Sequence, residues 1–228
     1  MAELPNLDGP RLEPKSGTAK QLVVFLHGYG ADGRDLIDIG KAWQQFLPDA
    51  AFVSPHAPEA CAQAPVGRQW FSLTFRDPGE RWRGVNAAGP ILEKFLDEEL
   101  KRRNLPPNRL ALVGFSQGTM MSLHVGLRRA VAPGAIVGFS GMLVTQNDGP
   151  ADTMAGEIKS KPPVLLIHGD SDEVIPVQAL LMAAQGLATL EVPVEWHISP
   201  GIGHGIDQEG LRQGGEFLAR RFKAQPQG

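Results

Sequence analysis

One serine in the chain is flanked by glycines in a way that suits a nucleophile. The segment Gly114-Phe115-Ser116-Gln117-Gly118 follows a short apolar run and precedes a stretch with helical periodicity. Glycines two residues before and two residues after a serine permit the sharp strand-to-helix turn that exposes its hydroxyl. Taken alone, the pattern also fits a plain structural turn, so the other residues of a serine hydrolase must be sought elsewhere in the chain.

A serine nucleophile needs a base and an acid that orients the base, and both residue types lie downstream. The segment 168–176, HGDSDEVIP, contains Asp170 and Asp172, and the segment 201–207, GIGHGID, contains His204. The order Ser, Asp, His is typical of hydrolases built on a mostly parallel sheet. Asp170 directly follows a glycine, where its carboxylate can brace the turn. We therefore predict Ser116 as nucleophile, Asp172 as acid and His204 as base.

Each of these residues also has an ordinary structural alternative. An aspartate after a strand often caps a helix or closes a turn, and a loop histidine is often simply solvated. Three matched turns in the expected order are harder to obtain by chance than one. The set therefore favours catalysis, with Asp170 as the structural residue of the two aspartates.

Acyl transfer also needs two donors for the oxyanion of the tetrahedral intermediate. The backbone N–H of Gln117, directly after the predicted nucleophile, supplies one donor. The segment 27–33, HGYGADG, follows the first long apolar run, and the N–H of Tyr29 is the predicted second donor. A phosphate-binding turn is disfavoured here, because no Lys-Ser or Lys-Thr pair follows and the glycine spacing does not fit a dinucleotide fingerprint.

The elements that must position these turns are indicated by apolar runs. Six short runs predict buried strands, at 21–27, 51–55, 109–114, 134–140, 163–170 and 193–199. Three other segments have apolar residues at helical spacing, and each set predicts one apolar face of a helix. The three sets are Leu36, Ile39, Trp43 and Leu47; Leu92, Phe95, Leu96 and Leu100; and Leu211, Leu218 and Phe222. A further helix is predicted over 117–130. The alternation predicts a mostly parallel sheet with helices on both faces, to which the first 20 residues add an antiparallel edge strand.

Length and composition bound the other possibilities. A chain of 228 residues, 42% hydrophobic, is predicted to form a single domain over 1–228. Two Pro- and Gly-rich stretches, 55–84 and 141–161, are predicted to be long loops of this domain rather than domain boundaries. In a parallel sheet, ligands bind beyond the carboxyl ends of the strands, where the candidate turns lie. We expect these loops to cover the site.

Charge and cysteine content disfavour several classes of partner. The net charge is −3 with both signs interspersed, so neither nucleic acid nor an anionic membrane surface is indicated. No segment reaches the roughly 18 apolar residues of a membrane span, so no stable membrane insertion is expected. A single cysteine, Cys61, fits a reducing compartment, and we expect the cytoplasm. The six histidines show no His-x-x-x-His pair, which disfavours a metal site.

Several motifs together resemble one known family across nearly the whole chain. The motifs are, in order, FLHGYGADGRD, GRQWF, GFSQGTMMSL, FSGML, HGDSDEVIP and GIGHGI. They resemble the phospholipase/carboxylesterase family of α/β-hydrolases, which includes bacterial carboxylesterases and acyl-protein thioesterases. The resemblance implies an α/β-hydrolase fold without a large cap domain, and it implies no cofactor. It also implies a triad of Ser116, Asp172 and His204, with an oxyanion hole at Tyr29 and Gln117.

The resemblance further implies that Trp70 and Phe71 help to line the acyl site, where ordinary burial is the alternative. Met142 is a third predicted substrate contact, although a methionine near an apolar strand is more often part of the core. The chain departs from many members at three positions: Tyr29 replaces Leu, Ser72 replaces Asp, and Thr119 replaces Gly. These departures bear on the substrate, since the triad itself is intact.

The expected activity is that of a serine carboxylesterase acting on small-molecule esters of short to medium acyl chains. Acyl-protein thioesterase or lysophospholipase activity is the alternative within the enzymes. A non-catalytic binding protein on a hydrolase scaffold is a further alternative, disfavoured because such a protein usually lacks a triad residue. The sequence leaves open whether the protein is a homo-oligomer.

Overall fold

A seven-stranded sheet forms the centre of the molecule, and the computed structural model describes residues 3–74, 77 and 79–225. The strands in chain order are β1 (Arg11–Leu12), β2 (Gln21–Leu26), β3 (Ala50–Val53), β4 (Glu59–Ala60), β5 (Arg68–Gln69), β6 (Leu110–Phe115), β7 (Ala135–Phe139), β8 (Val164–Gly169) and β9 (Val194–Ser199). The sheet order is β1-β3-β2-β6-β7-β8-β9, and β4 pairs with β5 in a separate hairpin. Only β1 runs antiparallel within the large sheet.

The six predicted strands and the predicted antiparallel edge strand are confirmed, with boundaries that differ by up to two residues. Strands β2, β3, β6, β7 and β8 are covered on both faces, which is why they consist of unbroken apolar runs. The prediction that the run 193–199 is buried is wrong: it forms a strand, but β9 lies at the edge of the sheet and carries the exposed residues Glu195 and Trp196.

In the part of the chain that the structure describes, five helices cover the sheet: α1 (Arg34–Trp43), α2 (Glu80–Arg103), α3 (Gln117–Arg128), α4 (Gln178–Thr189) and α5 (Gln208–Ala224). The helix predicted over 117–130 is confirmed as α3. Helix α1 ends before Leu47, which is nevertheless buried. Helix α4 was not predicted, because its exposed face also carries the apolar residues Leu181 and Met182 and its periodicity is therefore obscured.

Side chains of the sheet form one hydrophobic core on each face. In β2, Leu22, Val24 and Leu26 join the core that includes residues of α2, α3 and α4. The alternate residues Val23 and Phe25 join the core formed with α1 and α5. Because both faces are packed, the strands are held firmly and present the turns at their carboxyl ends in a defined arrangement.

The two predicted loops have more structure than expected. The stretch 55–84 contains the β4–β5 hairpin and the first residues of α2, so it is a long loop only in part. The stretch 141–161 contains two short 3-10 turns, Gln146–Asp148 and Ala151–Met154. Among the residues described, no helix has both the length and the hydropathy needed to cross a membrane.

Candidate active site

Ser116 occupies a strained turn between β6 and α3. Its backbone has φ 54° and ψ −115°, a conformation that residues other than glycine rarely adopt and that costs about 1–3 kcal/mol. The turn is held because the Ser116 N–H donates to the carbonyl oxygen of Phe139 at 2.9 Å. The residue is buried apart from 9% of its surface. Such strain is typical of a nucleophilic serine in a sharp strand-to-helix turn that exposes its hydroxyl.

The two glycines around Ser116 are required by close backbone contacts. A β-carbon at Gly114 would lie 2.3 Å from the amide nitrogen of Thr119. A β-carbon at Gly118 would lie 1.7 Å from the carbonyl oxygen of Leu26. The Gly-x-Ser-x-Gly pattern is therefore explained by a lack of space for a side chain at both glycines: Gly114 lies against the start of α3, and Gly118 lies against the end of β2.

Thr119 braces the same turn from the side of the sheet. Its hydroxyl lies 2.9 Å from the carbonyl oxygens of both Gly114 and Phe139. Its side chain fits only because Gly138 and Gly141 face it; a β-carbon at Gly141 would lie 2.3 Å from the Thr119 Cβ. In the sequence, Thr119 stands out only because many members of the family resembled have Gly at this position. Its spatial link to two glycines further along the chain could not be detected without the fold.

His204 and Asp172, two of the predicted triad residues, are hydrogen-bonded to each other. The distance from His204 Nδ1 to Asp172 Oδ2 is 2.8 Å. A carboxylate oxygen only accepts, so Nδ1 carries the proton and Nε2 of a neutral imidazole keeps its lone pair. The backbone amides of Val174 and Ile175 donate to Asp172 Oδ1 at 2.9 Å each. This arrangement leaves Nε2 able to act as a general base.

The Asp172 side chain is fully buried. Burial alone would raise the pKa of this carboxyl, but hydrogen bonds from His204, Ile175 and Val174 outweigh it and lower the pKa below its ordinary value. Asp172 is therefore ionised at neutral pH. The ionised carboxylate can stabilise the imidazolium that forms when His204 takes a proton.

The loop that carries His204 is tied to the neighbouring turns. The Asp170 carboxylate accepts from the amide of Gly201 at 2.7 Å, and the Ser140 hydroxyl donates to the carbonyl of Gly205 at 3.1 Å. The His204 ring packs beside the ring of Phe115, with centroids 5.0 Å apart. The base is thus brought next to the residue that precedes Ser116, while Asp170 has the bracing position that the sequence suggested.

The predicted oxyanion turn also lies against the serine. A β-carbon at Gly28 would be 3.4 Å from the Cβ of Ser116. Among the described residues, none accepts a hydrogen bond from the backbone amide of Tyr29 or from that of Gln117. Both amides therefore have no acceptor among the described residues, and their role as donors to an oxyanion stays a prediction.

His27 supports this turn from within the core, a role that sequence analysis missed. Its Nδ1 donates to the carbonyl of Gly28 at 2.8 Å, and its Nε2 accepts from the amide of Ala57 at 3.0 Å. Burial lowers the pKa of His27 to about 4, so the imidazole is neutral and keeps this pattern of one donor and one acceptor. The only signal in the sequence was a His-Gly pair directly after a buried strand.

The Gln117 side chain connects the serine turn to the predicted acyl-site residues. Its Oε1 accepts from the amide of Trp70 at 2.9 Å and its Nε2 donates to the carbonyl of Phe71 at 2.8 Å. The Trp70 indole in turn donates to the carbonyl of His27 at 3.1 Å. Trp70 and Phe71 are only 1% and 4% exposed and belong to the core. The structure brings both beside the site, and their contact with an acyl chain stays a prediction.

The two remaining predicted site residues, Tyr29 and Met142, are half-buried against the core on the α2 and α3 side. The pKa of Tyr29 is raised to about 12, chiefly by a hydrogen bond with Cys61 and also by burial and the nearby Glu80. The Tyr29 side chain therefore faces the hairpin loop. Within the part of the chain that the structure describes, no group of three or more His, Cys, Asp or Glu side chains could hold a metal ion.

The chain is similar in sequence to several known proteins. The sequence model of a family described as Phospholipase/Carboxylesterase matches residues 7–221. The chain is 26% identical over 225 residues to acyl-protein thioesterase 1 of Gibberella zeae, which covers 93% of this chain and 95% of that protein. It is 27% identical over 194 residues to esterase YpfH of Escherichia coli, which covers 85% of this chain and 80% of that protein.

Solved structures show the same architecture. Esterase PE8 superposes with a TM-score of 0.90 and 44% identity, over 95% of this chain and 99% of that one. The Bacillus cereus carboxylesterase superposes with a TM-score of 0.76 over 95% of each chain, at 16% identity, and shows the fold alone. The predicted α/β-hydrolase fold is confirmed, and the described residues include no large cap domain.

Proposed function

The chain belongs to the phospholipase/carboxylesterase family of hydrolases, and we propose that it is a serine carboxylesterase that cleaves esters of short to medium acyl chains. The observation that carries the proposal is the 2.8 Å hydrogen bond between Asp172 and His204, formed beside a strained Ser116. These three residues come from three different turns at the carboxyl edge of the sheet. A purely structural role would not require a buried acid, a partly buried base and a strained serine in neighbouring turns.

In the proposed acylation step, Ser116 Oγ attacks the ester carbonyl carbon while His204 Nε2 takes the hydroxyl proton. The carbonyl oxygen becomes an oxyanion and accepts hydrogen bonds from the amides of Tyr29 and Gln117. The imidazolium of His204 then gives its proton to the leaving alcohol. The C–O bond of the ester breaks and an acyl-Ser116 ester remains.

Deacylation repeats these roles with water as the nucleophile. His204 Nε2 removes a proton from water, whose oxygen attacks the acyl carbonyl carbon. The same two amides hold the second oxyanion. Collapse of this intermediate returns the proton to Ser116 Oγ and releases the carboxylic acid. Asp172 stays ionised throughout and keeps the Nδ1–H of His204 in place.

The proposed preference for short to medium chains is supported by the burial of the predicted acyl-site aromatics. Trp70 and Phe71 are held in the core by the Gln117 side chain, so they offer little free apolar surface to a long chain. Each methylene that is buried contributes about 0.8 kcal/mol, so activity should rise with chain length until the groove is filled.

Acyl-protein thioesterase activity is the second candidate, since a relative that spans nearly the whole chain carries that name. Lysophospholipase activity is a third, suggested by the family description. All three share the acyl-enzyme chemistry and differ in the acyl and leaving groups. A non-catalytic role is disfavoured, because every position of the predicted triad is filled.

The proposal is tested by measuring the hydrolysis of p-nitrophenyl esters from acetate to palmitate. A palmitoyl-thioester peptide and a lysophospholipid are assayed under the same conditions. We expect kcat/KM to rise from acetate, to peak at roughly four to eight acyl carbons and to fall by palmitate. A profile that climbs to palmitate, or activity confined to the thioester peptide or the lysophospholipid, would replace the small-ester assignment by one of the alternatives.

A further inference from the structure

A second histidine lies beside Asp172. His168 is near the end of β8 and is only 2% exposed. Its Nε2 is 2.7 Å from the carbonyl oxygen of Ile175 and 3.2 Å from Asp172 Oδ2. A carbonyl oxygen can only accept, so Nε2 carries a proton and donates to Ile175. The same N–H edge faces the carboxylate oxygen that accepts the hydrogen bond from His204.

The Ile175 peptide connects this histidine to the acid. The Ile175 carbonyl accepts from His168, while the Ile175 amide donates to Asp172 Oδ1 at 2.9 Å. The hydrogen bonds from residues 174 and 175 are local, so they orient the carboxylate within its own turn. The bond from His168 is different, because it ties that turn to a strand of the central sheet.

The turn of residues 170–175, which contains Asp172 and is called the acid turn here, cannot be held by burial alone. Ser171, Glu173 and Val174 are exposed around the fully buried Asp172 side chain. A turn with so many solvent-facing residues needs hydrogen bonds to the rigid scaffold to keep one geometry. On the β8 side, the bond between His168 and Ile175 supplies that connection.

We propose that His168 is a positioning residue that fixes Asp172 relative to β8 and thereby orients His204 for catalysis. This inference deepens the proposed function and rests on the predicted triad. The reason is geometric: the base works only if its Nδ1–H points at Asp172 and its Nε2 points at the reacting atoms.

The test compares two substitutions of His168 that differ in one hydrogen bond. Gln places an amide N–H close to the position of the imidazole Nε2–H, whereas Met fills similar space without a donor. We expect His168→Gln to keep kcat within about twofold of wild type. His168→Met should lower kcat by roughly 10- to 100-fold with KM nearly unchanged, because a small displacement of the acid affects the transition state more than substrate binding.

A double-mutant cycle with Asp172→Asn separates this role from a general loss of structure. If His168 acts through Asp172, His168→Met should lower kcat by no more than about twofold in the Asp172→Asn background. A matched control is His197→Gln, since His197 lies on the neighbouring strand β9 and contacts Gln213 rather than the acid. This control should keep wild-type kcat.

The positioning role is overturned if His168→Met keeps kcat within about twofold of wild type, or if it lowers kcat equally in both backgrounds. It is also overturned if folded His168→Gln is as impaired as His168→Met. Should His168→Met not fold, His168→Asn serves in its place, because the shorter Asn side chain keeps polarity but does not reach Ile175. Wild-type activity in Ser116→Ala and Asp172→Asn would instead refute the proposed function itself.

Discussion

The α-carbon of Gly118 lies so close to Leu26 that an added β-carbon would stand 1.7 Å from the Leu26 carbonyl oxygen. The same β-carbon would be 2.9 Å from the carbonyl oxygen of His27. The first turn of α3 is therefore pressed against the end of β2. This contact brings the turn at Ser116 next to the predicted oxyanion turn, so it links two parts of the candidate site that are far apart in sequence.

Gly118→Ala should be strongly destabilising, because backbone rather than a flexible side chain occupies the space that the new methyl needs. We expect a loss of about 3 kcal/mol or more in the free energy of unfolding, measured by urea denaturation. Gly156→Ala is the control, since a β-carbon at Gly156 meets nothing within 4 Å. Equal stability of the two variants would contradict the close contact.

Ser116→Ala should keep the fold and lower kcat by roughly 10⁴-fold or more, because it removes the proposed nucleophile. A fluorophosphonate should label the wild type and not the variant. Ser122→Ala, in the helix that follows Ser116, is the control: the Ser122 hydroxyl is buried and, among the described residues, has no hydrogen-bond partner. Equal labelling of wild type and Ser116→Ala would refute the assignment.

The two aspartates of the acid turn should respond differently to the same substitution. Asp172→Asn should lower kcat by about 10⁴-fold, since the amide favours the wrong tautomer of His204. Asp170→Asn should keep most of the activity, because the Asn carbonyl oxygen can still accept from the Gly201 amide. Steady-state kinetics on a short p-nitrophenyl ester decide this. The roles are reversed if folded Asp170→Asn is inactive while Asp172→Asn stays active.

Two buried histidines should make the folded state sensitive to acid. Burial lowers the pKa of His27 to about 4 and that of His124 to about 3, with the Arg128 charge adding to the effect at His124. In the unfolded chain both groups titrate near pH 6.5. Between these limits the unfolded chain binds protons that the folded protein does not, so stability is full above about pH 6.5 and decreases as the pH falls.

The expected decrease is on the order of 2 kcal/mol for each histidine between about pH 8 and pH 5. Urea denaturation at the two pH values measures it. His124→Leu should reduce the pH dependence, because the replacement cannot be protonated in either state. If the wild type is equally stable at both pH values, the two histidines are not held neutral in the folded protein.

Much of the fold could be predicted because buried strands and helix faces produce recognisable patterns of apolar residues in the sequence. A strand covered on both faces must be apolar throughout, and five of the six predicted runs are strands of this kind. The boundaries of all six lie within two residues of those observed. Helix α4 escaped prediction because exposed Leu181 and Met182 blur its apolar face. The β4–β5 hairpin was also missed, since two-residue strands carry no detectable periodicity.

The residue types that follow each strand can be identified without the fold, and they give the candidate set of Ser116, Asp172 and His204. The contacts that support this set depend on the fold. The hydrogen bonds of Gln117 with Trp70 and Phe71 span 47 and 46 residues, and the bond of Thr119 with Phe139 spans 20. Such contacts depend on which strands become neighbours and on donor–acceptor distances that are set to within a few tenths of an ångström. No local pattern encodes these distances, because a hydrogen bond requires two groups that only the folded chain brings together.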